Sequence, residues 1–220
     1  MPVHPSAVIS EGVELGRDVA VGPHAVLLGP CRVGDGVVIG AGCVIGSPPE
    51  ITSASQNLAW DGELEHHGVV VEDGVVIRET STIQQGSRSP TVIGAGSWLL
   101  SRTYVAHDCV LGPGVTTSAG VSLGGYARIG EAANIGMNAT VHQRRSVGTG
   151  AMVGMSSAVT RDVPPFAKAF GVPARVRGAN KVGMIRSGFD HEVAEALDAA
   201  YTTGRGDEAA AILAKLEIDG

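Results

Sequence analysis

The sequence predicts an all-β fold, a parallel β-helix of six-residue repeats that ends in a short α-helical tail. The first observation is an aliphatic residue at every sixth position, in two long runs. The second is composition, because 32 glycines and only 4% aromatic residues suit a narrow interior. A period of six fits a short strand that turns a corner and begins again. The first run is Val3, Ile9, Leu15, Val21, Leu27, Val33, Ile39 and Ile45, and the second extends in the same steps from Ile93 to Val159, with Thr117 as its exception.

Two further positions of the repeat support this fold. Glycine commonly follows the aliphatic residue, as at Gly16 and Gly136, and it permits the tight backbone of a corner. A small or β-branched residue stands four positions after the aliphatic one, where it fills the interior without overpacking it. Cys31, Cys43 and Cys109 occupy this inward position. We therefore expect buried free thiols, with no disulfide and no metal site.

Two segments interrupt the repeat. The stretch from Ser47 to Gly68 loses the phase, and a four-residue excess before Ile93 contains residues 86–90. Both are predicted to be loops that leave the prism. Long loops on a rigid scaffold commonly carry function, although a loop that merely decorates a corner is the alternative for each.

The repeat ends at Pro164 and Pro165, and an extended segment continues to Gly178. Asp190 and Asp207 are then placed to cap two helices with apolar residues at helical spacing. We expect a β-helix domain over residues 1–172 and an extended segment with a helical tail over residues 173–220. The tail would cover the last coil, whose strand edges are otherwise unpaired.

Charge and hydropathy exclude several classes of partner. The net charge is −6, and no block of Lys or Arg stands out, so a nucleic-acid partner is not expected. No stretch is long and apolar enough for an integral membrane segment, and the N-terminus has no basic flank beside an apolar run. We therefore expect a cytoplasmic protein.

The hexads resemble those of the hexapeptide-repeat acyltransferases. This resemblance implies a left-handed β-helix with three hexads in each coil. Residues about 18 apart would then stack at the strand spacing of a sheet, roughly 4.8 Å. Two neighbouring columns built in this way are His107, Gly125 and Gln143, and Asp108, Tyr126 and Arg144.

These columns fit acyl transfer from a thioester. His107 is the candidate general base that takes the proton of the attacking group, and the Gly125 N–H is the candidate donor to the thioester oxygen. Asp108 could orient the imidazole, but neighbouring residues on a strand normally face opposite ways. No side-chain nucleophile stands beside His107, which favours direct attack over a covalent intermediate.

Ordered strings carry a more specific resemblance. HPSAVI, RETSTI, VAHDCVLG, NATVHQ, DVPPF and GANKVGMIRSGF, spread over residues 3 to about 190, resemble the acyl-[acyl-carrier-protein]–UDP-N-acetylglucosamine O-acyltransferases of lipid A synthesis. The resemblance implies a homotrimer with active sites between subunits, no metal or other cofactor, and two substrates. These are the phosphopantetheine thioester of acyl carrier protein as donor, and a sugar nucleotide similar to UDP-N-acetylglucosamine as acceptor of a (hydroxy)acyl group.

Individual residues match that family unevenly. The matching positions are the catalytic pair His107 and Asp108, the oxyanion residue Gly125, the substrate-side His142 and Gln143, and the nucleotide-contacting Asn180 and Arg186. The departures are Tyr104, Tyr126 and Gln84, where the family usually has histidine, and Asn57 and Ala59, where it has an acidic residue and a lysine. The departures fall on the acceptor side of the site. A related sugar nucleotide or another polar molecule is therefore an alternative acceptor.

Other readings remain at this point. The segment GVPARV is similar to CoA-using acetyltransferases, so an acyl-CoA donor with a different acceptor is one alternative. A non-catalytic trimeric β-helix scaffold is the other. A zinc hydrolase is disfavoured, because no two histidines have the five-residue spacing that β-helix carbonic anhydrases use. Different acyl chain lengths, and both O- and N-acylation, are compatible with the sequence.

Overall fold

The computed structural model describes residues 3–53 and 67–216, and short parallel strands dominate it. The first coils contain β1 (Val8–Ile9), β2 (Val13–Leu15), β3 (Ala20–Val21), β4 (Val26–Leu27), β5 (Cys31–Val33), β6 (Val38–Ile39) and β7 (Val44–Ser47). The middle coils contain β8 (Val69–Val71), β9 (Val76–Ile77), β10 (Thr82–Gln84), β11 (Thr91–Ile93), β12 (Trp98–Leu99), β13 (Tyr104–Val105), β14 (Val110–Leu111) and β15 (Thr116–Thr117). The last coils contain β16 (Ser122–Leu123), β17 (Arg128–Ile129), β18 (Asn134–Ile135), β19 (Thr140–Val141), β20 (Ser146–Val147), β21 (Met152–Val153) and β22 (Ala158–Val159), followed by β23 (Ala167–Phe170) and β24 (Arg175–Ala179).

The strands form three sheets that are the faces of a prism. Sheet 1 runs β1-β4-β7-β10-β13-β16-β19-β22, sheet 2 runs β2-β5-β8-β11-β14-β17-β20, and sheet 3 runs from β3 through β6 to β23 and β24. In the uninterrupted coils, partners are 18 residues apart, as in the parallel pairing of Tyr104 with Ser122. The predicted left-handed parallel β-helix with a helical tail is confirmed.

The repeat aliphatic residues fill the inside of the prism. Leu99, Leu123 and Ile135 are fully buried. Thr117, the exception in the second run, is also buried, and its Oγ1 lies 2.9 Å from Thr103 Oγ1. The Thr103 hydroxyl donates to the Leu100 carbonyl, so the polar break in the apolar column is satisfied by hydrogen bonds.

The glycine after the repeat aliphatic has a different reason from the predicted one. Gly136 does not have a positive φ, but a Cβ there would lie 2.6 Å from the Met155 backbone nitrogen on the next coil. The left-handed residue of that corner is Asn138, with φ 55°. Close approach of successive coils, rather than backbone freedom, therefore requires glycine at position 136.

The two insertions appear in the strand register. Ile45 pairs with Ile83, 38 residues on, because the first loop lies between them. Thr82 pairs with Tyr104, 22 residues on, because residues 86–90 lie between these coils. Residues 54–66, with the predicted substrate residue Asn57, are outside the described part of the chain.

The C-terminal elements close the prism. β24 pairs antiparallel with β23, and α1 (Lys181–Arg186), α2 (His191–Thr202) and α3 (Gly206–Lys215) follow. Apolar residues of this tail, among them Met184 and Leu197, form a second buried cluster with Phe166. No helix in the described residues is long and apolar enough to cross a membrane.

Helix α1 is not indicated by the sequence pattern. The prediction that Asp207 caps the last helix is wrong, because Asp207 lies in the first turn of α3 and Arg205 is the N-cap residue. Asp190 is the N-cap residue of α2, as predicted, but its side chain makes no capping hydrogen bond. The division at residue 172 falls in the turn between β23 and β24, and it stays a prediction.

Burial inside the prism makes one stability prediction. Ile135→Ala should lower the free energy of unfolding by about 2–5 kcal/mol, because it leaves a cavity that the stacked coils cannot collapse. The matched change Ile185→Ala, at a residue 37% exposed on α1, should cost less than about 1 kcal/mol. Urea unfolding at a fixed protein concentration measures both, and equal losses would contradict a rigid core.

Candidate active site

The candidate site lies at the corner where sheet 1 turns into sheet 2. His107 follows β13, Gly125 follows β16 and Gln143 follows β19, so the three stack along the prism. The Tyr126 N–H donates to the His107 carbonyl over 3.0 Å, and the Arg144 N–H donates to the Gly125 carbonyl over 2.9 Å. The columns that the 18-residue spacing predicts are therefore present in the structure.

His107 and Asp108 contact each other although they are adjacent in sequence. Their side chains meet through His107 Nδ1 and Asp108 Oδ2, 2.7 Å apart. The two residues lie in a turn rather than in a strand, and Asp108 is in the left-handed region with φ 59°. This backbone removes the alternation that would have turned the two side chains to opposite faces.

The carboxylate of Asp108 is fully buried and is held by the short loop of residues 86–90. Its hydrogen-bond donors are the Ser87 N–H at 3.0 Å, the Ser87 hydroxyl at 2.6 Å, the Arg88 N–H at 2.8 Å, the Ser89 N–H at 2.9 Å and the Ser89 hydroxyl at 3.4 Å. Burial alone would raise the pKa of Asp108, but the hydrogen bonds from Ser87, His107 and Ser89 outweigh it and hold that pKa well below its ordinary value.

An ionised Asp108 determines which nitrogen of His107 is available for chemistry. A carboxylate can only accept, so Nδ1 carries the proton and Nε2 of the neutral ring carries the lone pair. Nε2 lies against Gly125, where an added Cβ would be 2.7 Å away. No acceptor among the described residues takes the Gly125 N–H. A base and a backbone donor therefore stand side by side.

Tyr126 and Arg144 extend the site along its second column. The Tyr126 ring packs edge-to-face on the His107 ring, with centroids 5.1 Å apart. Its hydroxyl lies 3.1 Å from the Ser87 hydroxyl. On the same tyrosine ring, Arg144 Cζ lies 4.2 Å from the centroid, which is a cation–π contact.

An open cavity of about 580 Å³ lies in front of this corner. Its lining comprises Glu50, Ile51, Thr52, Ser87, Arg88, His107, Tyr126, Gln143 and Arg144. Tyr104 contacts one of these lining residues, because its hydroxyl donates to Glu50 Oε2 over 2.9 Å. Burial, and then the Glu50 carboxylate, raise the pKa of Tyr104, so its phenol stays protonated as a donor.

The remaining predicted site residues lie at different places. Gln84 is buried, and its Oε1 accepts the His107 N–H over 3.3 Å. His142 is exposed beside Gln143. Asn180 caps α1 through Gly183, and Arg186 is exposed in the last turn of that helix. Neither His142, Asn180 nor Arg186 is among the described residues that line the cavity.

Sequence reasoning did not nominate Glu50, Ser87, Arg88, Ser89 or Arg144. The signal for Arg144 was present, because the spacing placed it in one column with Asp108 and Tyr126. The four extra residues before Ile93 indicated a loop at residues 86–90, but the sequence did not show that its serines contact Asp108. Across the ranges 3–53 and 67–216, no three His, Cys, Asp or Glu residues converge on a metal site.

Comparisons with known proteins show the family of this chain. Residues 12–47 and 90–125 match the family model for bacterial transferase hexapeptide repeats. Residues 162–214 match the model for domain 2 of UDP-N-acetylglucosamine O-acyltransferase. The acyl-[acyl-carrier-protein]–UDP-N-acetylglucosamine O-acyltransferase of Thiobacillus denitrificans is 34% identical over 214 residues, covering 90% of this chain and 82% of the relative. The chain belongs to the UDP-N-acetylglucosamine O-acyltransferase family.

Solved structures of this O-acyltransferase family have the same fold. The enzyme of Moraxella catarrhalis is 29% identical with a TM-score of 0.80, covering 98% of this chain and 91% of its own. The enzyme of Campylobacter jejuni is 30% identical with a TM-score of 0.75, and the match covers 92% of this chain and 84% of that enzyme. The predicted family is confirmed, and the protein is an acyltransferase enzyme.

The Asp108 contacts predict the effect of an isosteric change. Asp108→Asn should reduce turnover roughly 100-fold to 10,000-fold, because an amide cannot accept from His107 and from the loop N–H groups at once. Asp162→Asn is the control, since that exposed carboxylate accepts a backbone N–H away from the cavity. Steady-state kinetics of both variants test this, and near-normal turnover of Asp108→Asn would remove the carboxylate from the mechanism.

Protonation of Asp108 in acid should lower the stability of the fold. Because the native pKa of Asp108 is depressed, its carboxylate stabilises the fold above about pH 4, and this contribution is lost as the pH falls toward the native pKa. Asp108→Asn should therefore lose stability at neutral pH and differ less from wild type in acid. Unfolding curves at pH 7 and pH 3 measure the difference, and a constant difference would contradict the depressed pKa.

The close contact at Gly125 makes a separate prediction. Gly125→Ala should lower turnover about 100-fold, because its Cβ displaces the imidazole while the ring moves without disturbing the coils. Gly206→Ala is the matched control, since nothing lies within 4 Å of a Cβ there. Full activity of Gly125→Ala in the same assay would show that the position of the imidazole does not matter.

Proposed function

We propose that this chain moves a (hydroxy)acyl group from an acyl-carrier-protein thioester to a hydroxyl or amine of a UDP-N-acetylglucosamine-like sugar nucleotide, in a lipid A-type pathway. The observation that carries the proposal is the 2.7 Å contact of His107 Nδ1 with the buried Asp108 carboxylate. This contact leaves Nε2 as a base at the mouth of the cavity. Relatives whose names describe this reaction support the choice of substrates.

The proposed step is direct transfer with His107 as general base. Nε2 takes the proton of the acceptor O–H or N–H while that atom bonds to the thioester carbon. The carbonyl oxygen becomes an oxyanion that accepts from the Gly125 N–H. The C–S bond then breaks, and the imidazolium returns its proton to the leaving thiolate. Asp108 stabilises the imidazolium and keeps the ring in its tautomer.

The acceptor is proposed to lie along the tyrosine side of the cavity. Gln143 and Tyr126 line it, and the pair of Tyr104 and Glu50 adds a carboxylate that can accept from sugar hydroxyls. Gln84 is proposed to position the base, because its Oε1 accepts a hydrogen bond from the backbone N–H of His107. Asn57 keeps its proposed substrate role from the family resemblance alone.

His142, Asn180 and Arg186 require a second subunit in this proposal. They lie outside the cavity of their own protomer, so we propose that they contact substrate across the interface of a homotrimer. Acyl carrier protein is the proposed donor partner, with its phosphopantetheine arm as the reacting group and no further cofactor. The cytoplasmic location expected from the sequence remains part of this proposal.

The general base predicts the outcome of one substitution. His107→Ala should lower turnover roughly 100-fold to 10,000-fold, because the attacking group then has no positioned base. Acyl transfer is followed by mass spectrometry, with acyl-carrier-protein and CoA thioesters as donors and UDP-N-acetylglucosamine beside related sugar nucleotides as acceptors. His191→Ala, at an exposed residue of α2, is the control.

Each product in this assay has a defined meaning. Acylated UDP-N-acetylglucosamine, lost in His107→Ala, supports the whole proposal. A product that forms from CoA thioesters alone, or on another acceptor alone, replaces the named substrate and keeps the mechanism. Thioester consumption by no pair, with folded protein, favours the non-catalytic scaffold. Full turnover by His107→Ala overturns the assigned base.

A further inference from the structure

Arg144 is a cation at the cavity, and its guanidinium donates no hydrogen bond to any residue that the structure describes. Its guanidinium is held by the Tyr126 ring through a cation–π contact, and such a contact engages no N–H group. Within residues 3–53 and 67–216, no carboxylate makes an ion pair or hydrogen bond with it. The side chain is exposed. It is therefore fixed beside the site with its planar fork of donors available to a ligand.

Two arginines line the cavity, and neither makes an ion pair with a carboxylate of the described residues, which favours an anionic ligand. Arg88 also lines it and makes no ion pair within the described residues. Among the described residues, two carboxylates lie nearby: Glu50 accepts the Tyr104 hydroxyl, and Asp108 is buried under its own donors. Two guanidinium groups thus face a cavity on a protein whose net charge is −6. Arginine is well suited to phosphate because its fork binds two oxygens at once.

We propose that Arg144 binds a phosphate group of a substrate, on the platform that Tyr126 provides. This inference rests on the proposed function, since it concerns the same site. The phosphate belongs either to the diphosphate of the sugar nucleotide or to the phosphopantetheine arm of the donor. Both carry the same chemistry, and the experiment distinguishes them.

Tyr126 connects phosphate binding to the catalytic corner. Its ring contacts both His107 and Arg144, and its hydroxyl reaches Ser87, which holds Asp108. A phosphate on Arg144 would therefore be placed one aromatic ring away from the base. Tyr126→Phe keeps the platform and loses the hydroxyl contact, whereas Tyr126→Leu loses the platform.

Equilibrium binding tests this proposal without turnover. Calorimetry with UDP and with 4′-phosphopantetheine compares wild type with Arg144→Ala, Arg144→Lys and Arg102→Ala. Arg102 is the matched control, because it is an exposed arginine in the same left-handed turn conformation at another corner, with φ 62° against 59°. Arg144→Ala should weaken one of the two probes about 10- to 100-fold, and lysine should restore part of the affinity.

Specific outcomes support or overturn the inference. Weaker UDP binding assigns Arg144 to the nucleotide, and weaker 4′-phosphopantetheine binding assigns it to the donor. Tyr126→Leu should reproduce part of the loss, and Tyr126→Phe should not. Unchanged affinity of Arg144→Ala for both probes, an equal loss in Arg102→Ala, or a wild type that binds neither probe would overturn it. Tight phosphate binding without acyl transfer would overturn the proposed function and leave the role of Arg144 standing.

Discussion

Parallel hydrogen bonding between successive coils is the constraint on which the rest of the structure depends. Each strand from β1 to β23 pairs with the strand one coil away, so the corner residues of the regular coils are stacked on their equivalents. His107, Gly125 and Gln143 are far apart in sequence but occupy one column because the backbone repeats. The same close stacking demands glycine at position 136 and at position 125, for backbone contact in one case and for the imidazole in the other.

The insertion at residues 86–90 supplies the hydrogen-bond donors that allow a charged Asp108 to be buried at this corner. A regular coil would offer Asp108 no ring of N–H and hydroxyl donors, and burying its charge would then be costly. The inserted serines supply those donors and keep the carboxylate ionised in a position shielded from water. The tautomer of His107 follows from that arrangement, because the Nδ1 proton must face the Asp108 carboxylate.

The periodic part of the molecule could be predicted from the sequence, and the aperiodic part could not. Phase and spacing indicated a β-helix and its inward residues. The two columns followed once the family resemblance supplied three hexads per coil, because a repeating backbone converts sequence distance into spatial position. The contact of Asp108 with His107 depends on a single left-handed turn, which spacing does not encode. The donors Ser87 and Ser89 come from a loop without a period. Helix α1 is only six residues long and carries too little apolar pattern to stand out.

The corner takes its functional side chains from three successive coils, and each coil adds one residue to each column. His107, Tyr126 and Arg144 therefore belong to three separate coils, which are joined at this corner by backbone hydrogen bonds as well as by side-chain contacts. Removing or adding a whole coil elsewhere in the prism would change its length and leave their mutual geometry intact. The length of the prism and the chemistry at this corner can therefore change independently. A substitution in one coil, such as at Arg144, can alter ligand preference while the coil that carries His107 stays unchanged.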